Sequence, residues 1–131
     1  MCSILNTYEK NNSEEFYYEL RNKDRNKSSF DRLSDYKRAG RTIYLNKACF
    51  NGLYRVNSKN EFNVPFGKKT KVNTYDVGNL ITVSNYLTMN DIKILNVDFE
   101  DSVKDAQKAD FIYYDPPYDS ETSIINSYTE D

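Results

Sequence analysis

The sequence predicts an α/β fold in which helices occupy the first part of the chain and a buried strand lies near its carboxyl end. Helical periodicity over residues 12–27 and again over residues 31–50 supports the helical part. The strand is predicted at residues 111–114, a continuous apolar run that two prolines end. The length of 131 residues fits one domain or a piece of one.

Capping and turn residues place the boundaries of the two helices. Asn12 or Ser13 can cap the first helix, because their side chains can accept hydrogen bonds from free backbone N–H groups. Gly52 is a plausible stop for the second helix. Residues 51–71 are punctuated by Asn, Gly, Ser and Pro, which is typical of a loop.

The later part of the chain carries the predicted strands. Residues 80–90 are ambiguous between helix and strand, residues 92–99 alternate like a short strand, and residues 101–109 fit a turn of helix. Asp115 follows the apolar run at 111–114 directly. Open α/β sheets bind their ligands at the carboxyl ends of strands, so Asp115 is a candidate functional residue.

Missing residue types exclude several kinds of chemistry. The chain contains no histidine, which excludes Ser-His-Asp and Cys-His nucleophile pairs and histidine-ligated zinc. Its two cysteines, Cys2 and Cys49, lie far apart, which argues against a cysteine zinc site or a disulfide framework. No metal is therefore expected. Because the chain has no apolar run of about 18 residues and no leader pattern, we expect a soluble, cytoplasmic protein.

Charge is segregated along the chain, although the net charge is only −2. Residues 1–20 sum to −3, residues 21–71 to +10, and residues 72–131 to −9. A basic block of this size with interleaved aromatic residues is typical of a surface that binds nucleic-acid phosphates, because each contact releases condensed counterions. A solvated charged face is the alternative interpretation.

Two motifs resemble those of a known enzyme family. Asp115-Pro116-Pro117-Tyr118 resembles the Asp/Asn/Ser-Pro-Pro-aromatic motif of DNA amino-methyltransferases. Residues 50–57 (FNGLYRVN) and 62–67 (FNVPFG) resemble the target-recognition signature of Dam-type, or D12 class, DNA adenine-N6 methyltransferases. The motifs occur in the family's order, and the similarity extends over most of residues 12–130. The resemblance implies a bacterial or phage-encoded enzyme of DNA modification or restriction-modification.

The resemblance also implies a fold and a cofactor. The expected fold is a partial Rossmann-like sheet of S-adenosylmethionine-dependent methyltransferases with a helical DNA-recognition domain. Residues 1–90 would form the recognition domain, and residues 91–131 would form part of the catalytic domain. S-adenosylmethionine would contact Asp98, Phe99 and Asp115, with ordinary core packing as the alternative for Phe99. The family's Gly-rich cofactor loop is missing, since none of the four glycines forms a Gly-x-Gly, so the chain looks like an internal fragment.

The implied reaction transfers a methyl group from S-adenosylmethionine to the amino nitrogen of adenine in double-stranded DNA. That nitrogen is a poor nucleophile, because its lone pair is delocalised into the ring. By match to the motif, the Asp115 carboxylate and the Pro116 carbonyl would accept its hydrogens. Pro117 belongs to the same catalytic motif, and Tyr118 would stack on the adenine after base flipping.

The recognition signature implies which residues would read the DNA sequence. Arg55 matches the position that reads a guanine in the major groove. Phe50 matches an aromatic that wedges into the base stack, and Pro65 matches a position that contacts a thymine methyl. The implied site is GATC. A core aromatic is the alternative interpretation of Phe50.

Further residues near the signature would contact bases or phosphates. Asn51 and Asn57 match positions that contact base edges or phosphates, with turn chemistry as the alternative. Lys68, Lys69 and Lys71 would contact phosphates without reading sequence, or lie in a solvated loop.

Three functions are compatible with these residues. The first is a DNA adenine methyltransferase, the second is a truncated and catalytically inactive DNA-binding fragment of such an enzyme, and the third is an inert fragment. The Asp115-Pro116-Pro117-Tyr118 motif favours the first, whereas the missing glycine loop favours the other two.

Overall fold

The structure, a computed structural model, describes residues 2–115, and every regular element among them is helical. The α-helices within that range are α1 (Cys2–Lys10), α2 (Glu14–Arg21), α3 (Lys27–Phe30), α4 (Asp35–Ala48), α5 (Val77–Met89) and α6 (Phe99–Val103). Short 3₁₀ turns at Asn22–Arg25 and Phe50–Gly52 follow α2 and α4. Within residues 2–115, no helix has both the length and the apolar character needed to cross a membrane.

Helices α1 and α2 each pack against α4 and enclose much of the buried core; together with the turn Asn22–Arg25 we call them the helical body. Fully buried side chains of these helices are Leu5, Tyr17, Leu20, Tyr44, Leu45 and Ala48. A Cβ atom on Gly40 would lie only 2.9 Å from Ile4 Cγ2, so glycine allows α1 and α4 to approach closely.

Helix α1 has no counterpart among the elements predicted from the sequence, although Ile4 and Tyr8 have helical spacing. The ring of Tyr8 packs against the rings of Phe16 and Tyr44, with centroids 5.7 and 5.6 Å away. Tilted and edge-on aromatic contacts of this kind stabilise a core beyond the area they bury. The contacts tie α1 to both other helices of the body.

The two helices predicted in the first half are confirmed, with shorter bounds. Ser13 caps α2 as predicted, since its Oγ accepts a hydrogen bond from Phe16 N at 3.1 Å. Helix α2 gives way to the 3₁₀ turn after residue 21 and does not continue to residue 27. Gly52 does not end α4, because the helix stops at Ala48 and its C-cap is Cys49 in an extended conformation. Gly52 instead ends the 3₁₀ turn Phe50–Gly52, with a left-handed φ of 66°. Residues 80–89 of the ambiguous segment lie in α5.

The predicted α/β fold with a partial Rossmann-like sheet is wrong for the described chain, because residues 2–115 contain no strand. In the predicted strand at 111–114, Phe111 is 90% exposed and Tyr113 is 76% exposed. Residues 92–98 are exposed and lack regular structure. An apolar run becomes a buried strand only where neighbouring elements pair with its backbone and cover both faces. No described residue does this for residues 111–114.

The segment between residues 67 and 76 runs back to α1 before α5 begins. Thr74 donates from its backbone N and its Oγ1 to Glu9 Oε1, each at 2.6 Å. Tyr75 Oη donates to Asn6 Oδ1 at 2.8 Å. Beyond this attachment, no residue between 77 and 115 belongs to the buried core.

Candidate nucleic-acid interface

The sequence motif predicted to recognise DNA lies on an ordered loop that follows α4. The two arms of this loop, which we call the 49–66 loop, pair in antiparallel fashion at Cys49 with Phe66 and at Val56 with Phe62. Phe50 N donates to Pro65 O at 3.0 Å between the arms. The motif therefore folds back on itself and forms an ordered loop whose two arms are hydrogen-bonded to each other.

Alternate residues of the second arm face opposite sides, as the period of an extended chain requires. Phe62 and Val64 face the helical body and are 3% and 1% exposed. Phe66 packs against the same core. Asn63 and Pro65, which alternate with them, are more accessible to solvent. The arm thus has one anchored side and one side free to contact a ligand.

The helical body holds Phe62 by both of its backbone polar groups. Asp24 Oδ2 accepts a hydrogen bond from Phe62 N at 2.9 Å. Arg25 Nη2 donates to Phe62 O at 2.8 Å. A neighbouring strand would ordinarily satisfy such groups, and here two side chains of the 3₁₀ turn take that role.

Asp24 is itself paired with a buried arginine of α4. Arg41 Nη2 lies 2.7 Å from Asp24 Oδ2, and each side chain is 6% exposed. Arg41 also donates to the carbonyls of Leu20 at 2.9 Å and Arg21 at 2.6 Å. Buried charges require pairing and hydrogen bonds of this kind. The cluster joins α2, α4 and the 49–66 loop.

Val64 is held in the same way by two side chains of α2. Tyr17 Oη donates to Val64 O at 2.9 Å, and Arg21 Nη1 donates to the same oxygen at 3.3 Å. Burial, which disfavours the charged phenolate, raises the pKa of Tyr17 well above its usual range. A phenol is protonated at neutral pH in any case, and the raised pKa keeps the Tyr17 hydroxyl a donor at more alkaline pH as well.

The first arm presents the predicted intercalating residue to solvent. Phe50 is 52% exposed, so it is not a core aromatic. Asn51 and Gly52 follow it with left-handed φ values of 53° and 66°. Asn46 Nδ2 donates to Gly52 O at 2.7 Å and fixes this turn to α4. The turn leaves both Phe50 and Asn51 accessible to a ligand.

The predicted base-reading residues Arg55 and Pro65 lie on opposite arms of the 49–66 loop, and both are exposed. Arg55 Nε donates to Asn63 Oδ1 at 2.8 Å. The loop thus presents on its accessible surface an aromatic ring, a guanidinium and a proline. These are the groups that intercalation, guanine reading and methyl contact need.

Asn57 shapes the turn at the tip of the loop. Its Oδ1 accepts hydrogen bonds from Lys59 N at 3.1 Å and from Glu61 N at 3.0 Å. Its Nδ2 donates to Glu61 Oε2 at 2.8 Å. Turn chemistry therefore describes Asn57 in the free chain, and a contact with DNA would have to coexist with these bonds or replace them.

The predicted phosphate-contacting lysines follow the loop. Lys68, Lys69 and Lys71 are exposed. Lys69 Nζ donates to Lys47 O at 2.6 Å, and Asn12 Nδ2 donates to Lys69 O at 2.8 Å. The backbone that carries these positive charges is thereby fixed to the helical body beside the 49–66 loop.

The predicted cofactor residues lie in the exposed segment after α5. Asp98 caps α6, since its carboxylate accepts from Glu100 N at 3.0 Å. The ring of Phe99 packs edge-on against Tyr114, with centroids 6.1 Å apart. This contact brings the segment of Phe99 next to Asp115, the candidate catalytic residue. The other predicted catalytic residues lie outside the described residues: Pro116, Pro117 and Tyr118.

The described residues of this segment do not fit an S-adenosylmethionine site as they stand. Asp98, Phe99 and Asp115 are all exposed, and the Asp98 carboxylate is engaged in a helix cap. A cofactor site encloses most of its ligand, which these residues do not do. For metal ions, residues 2–115 contain no group of three or more suitable side chains.

The residues that anchor the loop were not found by sequence reasoning. Asp24 bonds to Phe62 from 38 positions away, and no local pattern indicates such a contact. For its partners Arg25 and Arg41, the sequence indicates only a contribution to the positive charge of residues 21–71. Asn63 lies within the 62–67 motif (FNVPFG), and its place in that motif is the sequence feature that could have indicated a functional role for it.

Comparisons with known proteins identify the family to which the chain belongs. The chain matches the family model of D12 class N6 adenine-specific DNA methyltransferases over residues 2–131. A type II methyltransferase of Lactococcus lactis subsp. cremoris is 45% identical over 133 residues, which cover 100% of this chain and 46% of that protein. A type II methyltransferase of Methanocaldococcus jannaschii is 47% identical over 120 residues, covering 88% of this chain and 39% of the relative.

A DNA adenine methylase of Haemophilus influenzae is 42% identical over 76 residues, which cover 58% of this chain and 26% of that protein. The chain thus spans less than half the length of these relatives. The family model covers nearly all of it, and the motifs at 50–57 and 62–67 form one anchored loop. This chain belongs to the D12 class of N6 adenine-specific DNA methyltransferases.

Proposed function

We propose that this chain serves in site-specific methylation of adenine in double-stranded DNA, and that its described residues supply DNA recognition. The proposed site is GATC, and the proposed methyl donor is S-adenosylmethionine. The observation that carries the proposal is the 49–66 loop, whose anchored side is buried in the helical body and whose accessible side carries Phe50, Arg55 and Pro65.

The charge and chemistry of this surface support duplex DNA as the partner. An exposed aromatic can insert between base pairs, and a guanidinium can pair with the two acceptors on the major-groove edge of guanine. Lys68 and Lys69 follow the loop and offer positive charge to phosphates. The groups proposed to read bases and to contact phosphates therefore lie on neighbouring stretches of one basic block.

Residues 1–90 are the proposed recognition domain, and residues 91–131 are the proposed contribution to the catalytic domain. S-adenosylmethionine would supply an electrophilic methyl group. In the described chain, the exposed Asp98, Phe99 and Asp115 do not by themselves enclose a site for it. The proposed role of Asp115 is to accept a hydrogen bond from the adenine amino group, for which its exposed carboxylate is suitable.

Duplex binding tests the recognition part of the proposal. A fluorescent duplex containing one GATC should bind the chain more tightly than a duplex of the same composition with the site scrambled. Arg55→Lys should lower that preference by about tenfold, because an ammonium cannot replace a bidentate fork worth about 1–3 kcal/mol. Equal affinity of the unsubstituted chain for both duplexes would overturn the proposal.

A second candidate function is DNA binding without methyl transfer, which the exposed Asp98, Phe99 and Asp115 favour for the chain alone. Label transfer from S-adenosylmethionine to the unmethylated GATC duplex separates the two candidates. Label that is incorporated by the parent chain and lost in Asp115→Ala would establish transfer. Preference for GATC without label would establish the binding fragment.

A further inference from the structure

The hydrogen bond between Arg55 and Asn63 restricts how the guanidinium can meet a base. Arg55 Nε donates to Asn63 Oδ1 at 2.8 Å across the two arms of the loop. Within residues 2–115, no carboxylate forms an ion pair with Arg55. Asn63 therefore supplies the side-chain acceptor that orients the arginine.

This bond uses the Nε–H at the side of the guanidinium and leaves the end of the group, with Nη1 and Nη2, available. Arginine carries five N–H donors in a planar fork, of which Nε supplies one. With Nε engaged by Asn63, the two Nη groups remain as a parallel pair of donors. A parallel pair matches O6 and N7 of guanine. Orienting the group before binding also lowers the entropy lost when a long, exposed side chain is immobilised.

Asn63 can act as a fixed support because its neighbours are anchored on both sides. Asp24 and Arg25 hold the backbone of Phe62, as described above, and Tyr17 holds the carbonyl of Val64. Asn63 N donates to Arg55 O at 3.1 Å, so the same two residues are joined by backbone as well as side chain. The side-chain amide of Asn63 therefore starts from a defined position.

We infer that Asn63 is a positioning residue for sequence recognition, which acts through Arg55 by presenting its Nη pair to guanine. The inference rests on the proposed function, because it takes Arg55 as the residue that reads guanine. It assigns Asn63 a role in discriminating guanine from other bases, and this role is separate from any contact that Asn63 itself makes with DNA.

The test compares Asn63→Leu, which removes the acceptor at similar size, with Asn63→Asp, which keeps an oxygen at the same place. Each chain is titrated with a GATC duplex and with the same duplex containing 7-deazaguanine, which lacks the N7 acceptor. The measured quantity is the ratio of the two dissociation constants, which cancels uniform changes in affinity or folded fraction. The parent ratio should be about tenfold or more. It should fall at least threefold in Asn63→Leu and stay within twofold of the parent in Asn63→Asp.

The outcomes separate this inference from the proposed function. A parent ratio of one would overturn guanine reading by Arg55, and the inference with it. A parent ratio that Asn63→Leu retains would overturn the inference alone. Loss of the ratio in Asn63→Asp as well would also overturn it, because the acceptor would then not be the feature that matters.

A second measurement needs no variant at position 63. In nuclear magnetic resonance spectra of the free chain, the Nε–H signal of Arg55 should exchange with water more slowly than that of Arg38, whose side chain is 42% exposed. Arg55→Lys identifies the signal by its disappearance. Arg38 pairs with Asp35 through Nη2, and its Nε makes no hydrogen bond within residues 2–115. Exchange of the Arg55 Nε–H as fast as that of the Arg38 Nε–H would overturn the inference.

Discussion

Among single residues, Asp24 links the helical body to the 49–66 loop through three contacts of its side chain. Its carboxylate contacts the guanidinium groups of Arg25 and Arg41 and accepts a hydrogen bond from Phe62 N. Because the Asp24 residue is only 4% exposed, water cannot replace a partner that is lost. The cost of breaking such a buried pair is far larger than the net contribution of an exposed one.

Asp24→Asn should therefore lower the free energy of unfolding by about 3 kcal/mol, since it leaves the Arg41 charge buried without a counter-ion. Urea denaturation measures this loss. The matched control is Asp35→Asn, which removes the partner of Arg38 from an ion pair whose carboxylate is 94% exposed. The control should cost no more than about 1 kcal/mol. Equal losses in the two variants would contradict the assigned role of Asp24.

Local chemistry was predictable at this scale, whereas long-range partners were not. Ser13 was predicted as a cap because capping depends on residues three positions apart. The partnership of Asp24 with Arg41 depends on how α2 and α4 pack, which no sequence pattern encodes. The solvent exposure of Phe50 likewise depends on the conformation of the turn Phe50–Gly52, which no local pattern indicates.

At the scale of elements, the 49–66 loop depends on one close backbone approach. Gly67 N donates to Ala48 O at 2.9 Å where the second arm leaves the loop. A Cβ atom on Gly67 would lie 2.8 Å from that same oxygen and 2.7 Å from the carbonyl carbon of Cys49. Both are backbone atoms, which cannot move aside as the end of a side chain can.

Gly67→Ala should consequently disrupt the loop more than Gly52→Ala does. At Gly52 a Cβ atom would have Asn46 O as its nearest neighbour, at 3.8 Å, and the penalty is the left-handed φ of 66°. That penalty is about 1–2 kcal/mol. Gly67→Ala should cost more than this and weaken binding to the GATC duplex. Urea denaturation and duplex titration measure the two effects, and a smaller cost for Gly67→Ala would contradict the close approach.

Elements with strong local signals were predicted well, and those that need distant partners were not. The periodicity of residues 31–50 gave a helix that α4 confirms at Asp35–Ala48. The apolar run at 111–114 suggested a strand on its composition alone. A strand also requires pairing neighbours, and in the described residues the run is exposed and unpaired.

At the scale of the whole molecule, buried tyrosines connect stability to pH. Burial raises the pKa of Tyr44 from 10.0 to about 12 and raises the pKa of Tyr17 as well. A raised pKa means that the folded state holds these protons more tightly than the unfolded state. The resulting stability is complete below pH 10 and is lost as the pH rises through 12.

The free energy of unfolding should accordingly fall between pH 10 and pH 12. Tyr44→Phe removes one phenol with a raised pKa and should make this fall less steep, although it also removes the hydrogen bond to Asn12. Tyr86→Phe, at a position 61% exposed, controls for the loss of a hydroxyl. Unfolding free energies that are constant from pH 9 to pH 12 would contradict the burial of Tyr44 and Tyr17.

Under the proposed function, base reading and phosphate contact lie on separate residues of one anchored surface. The most direct test measures the affinity for GATC and scrambled duplexes over a range of salt concentrations, in the parent chain, in Arg55→Lys and in Lys68→Ala/Lys69→Ala. Arg55→Lys should lose preference for GATC and keep the salt dependence. The double lysine variant should keep the preference, while its salt slope falls by about 0.9 for each phosphate contact that is lost. Variants that lose preference and salt slope together, or a parent chain without preference, would contradict the proposed function.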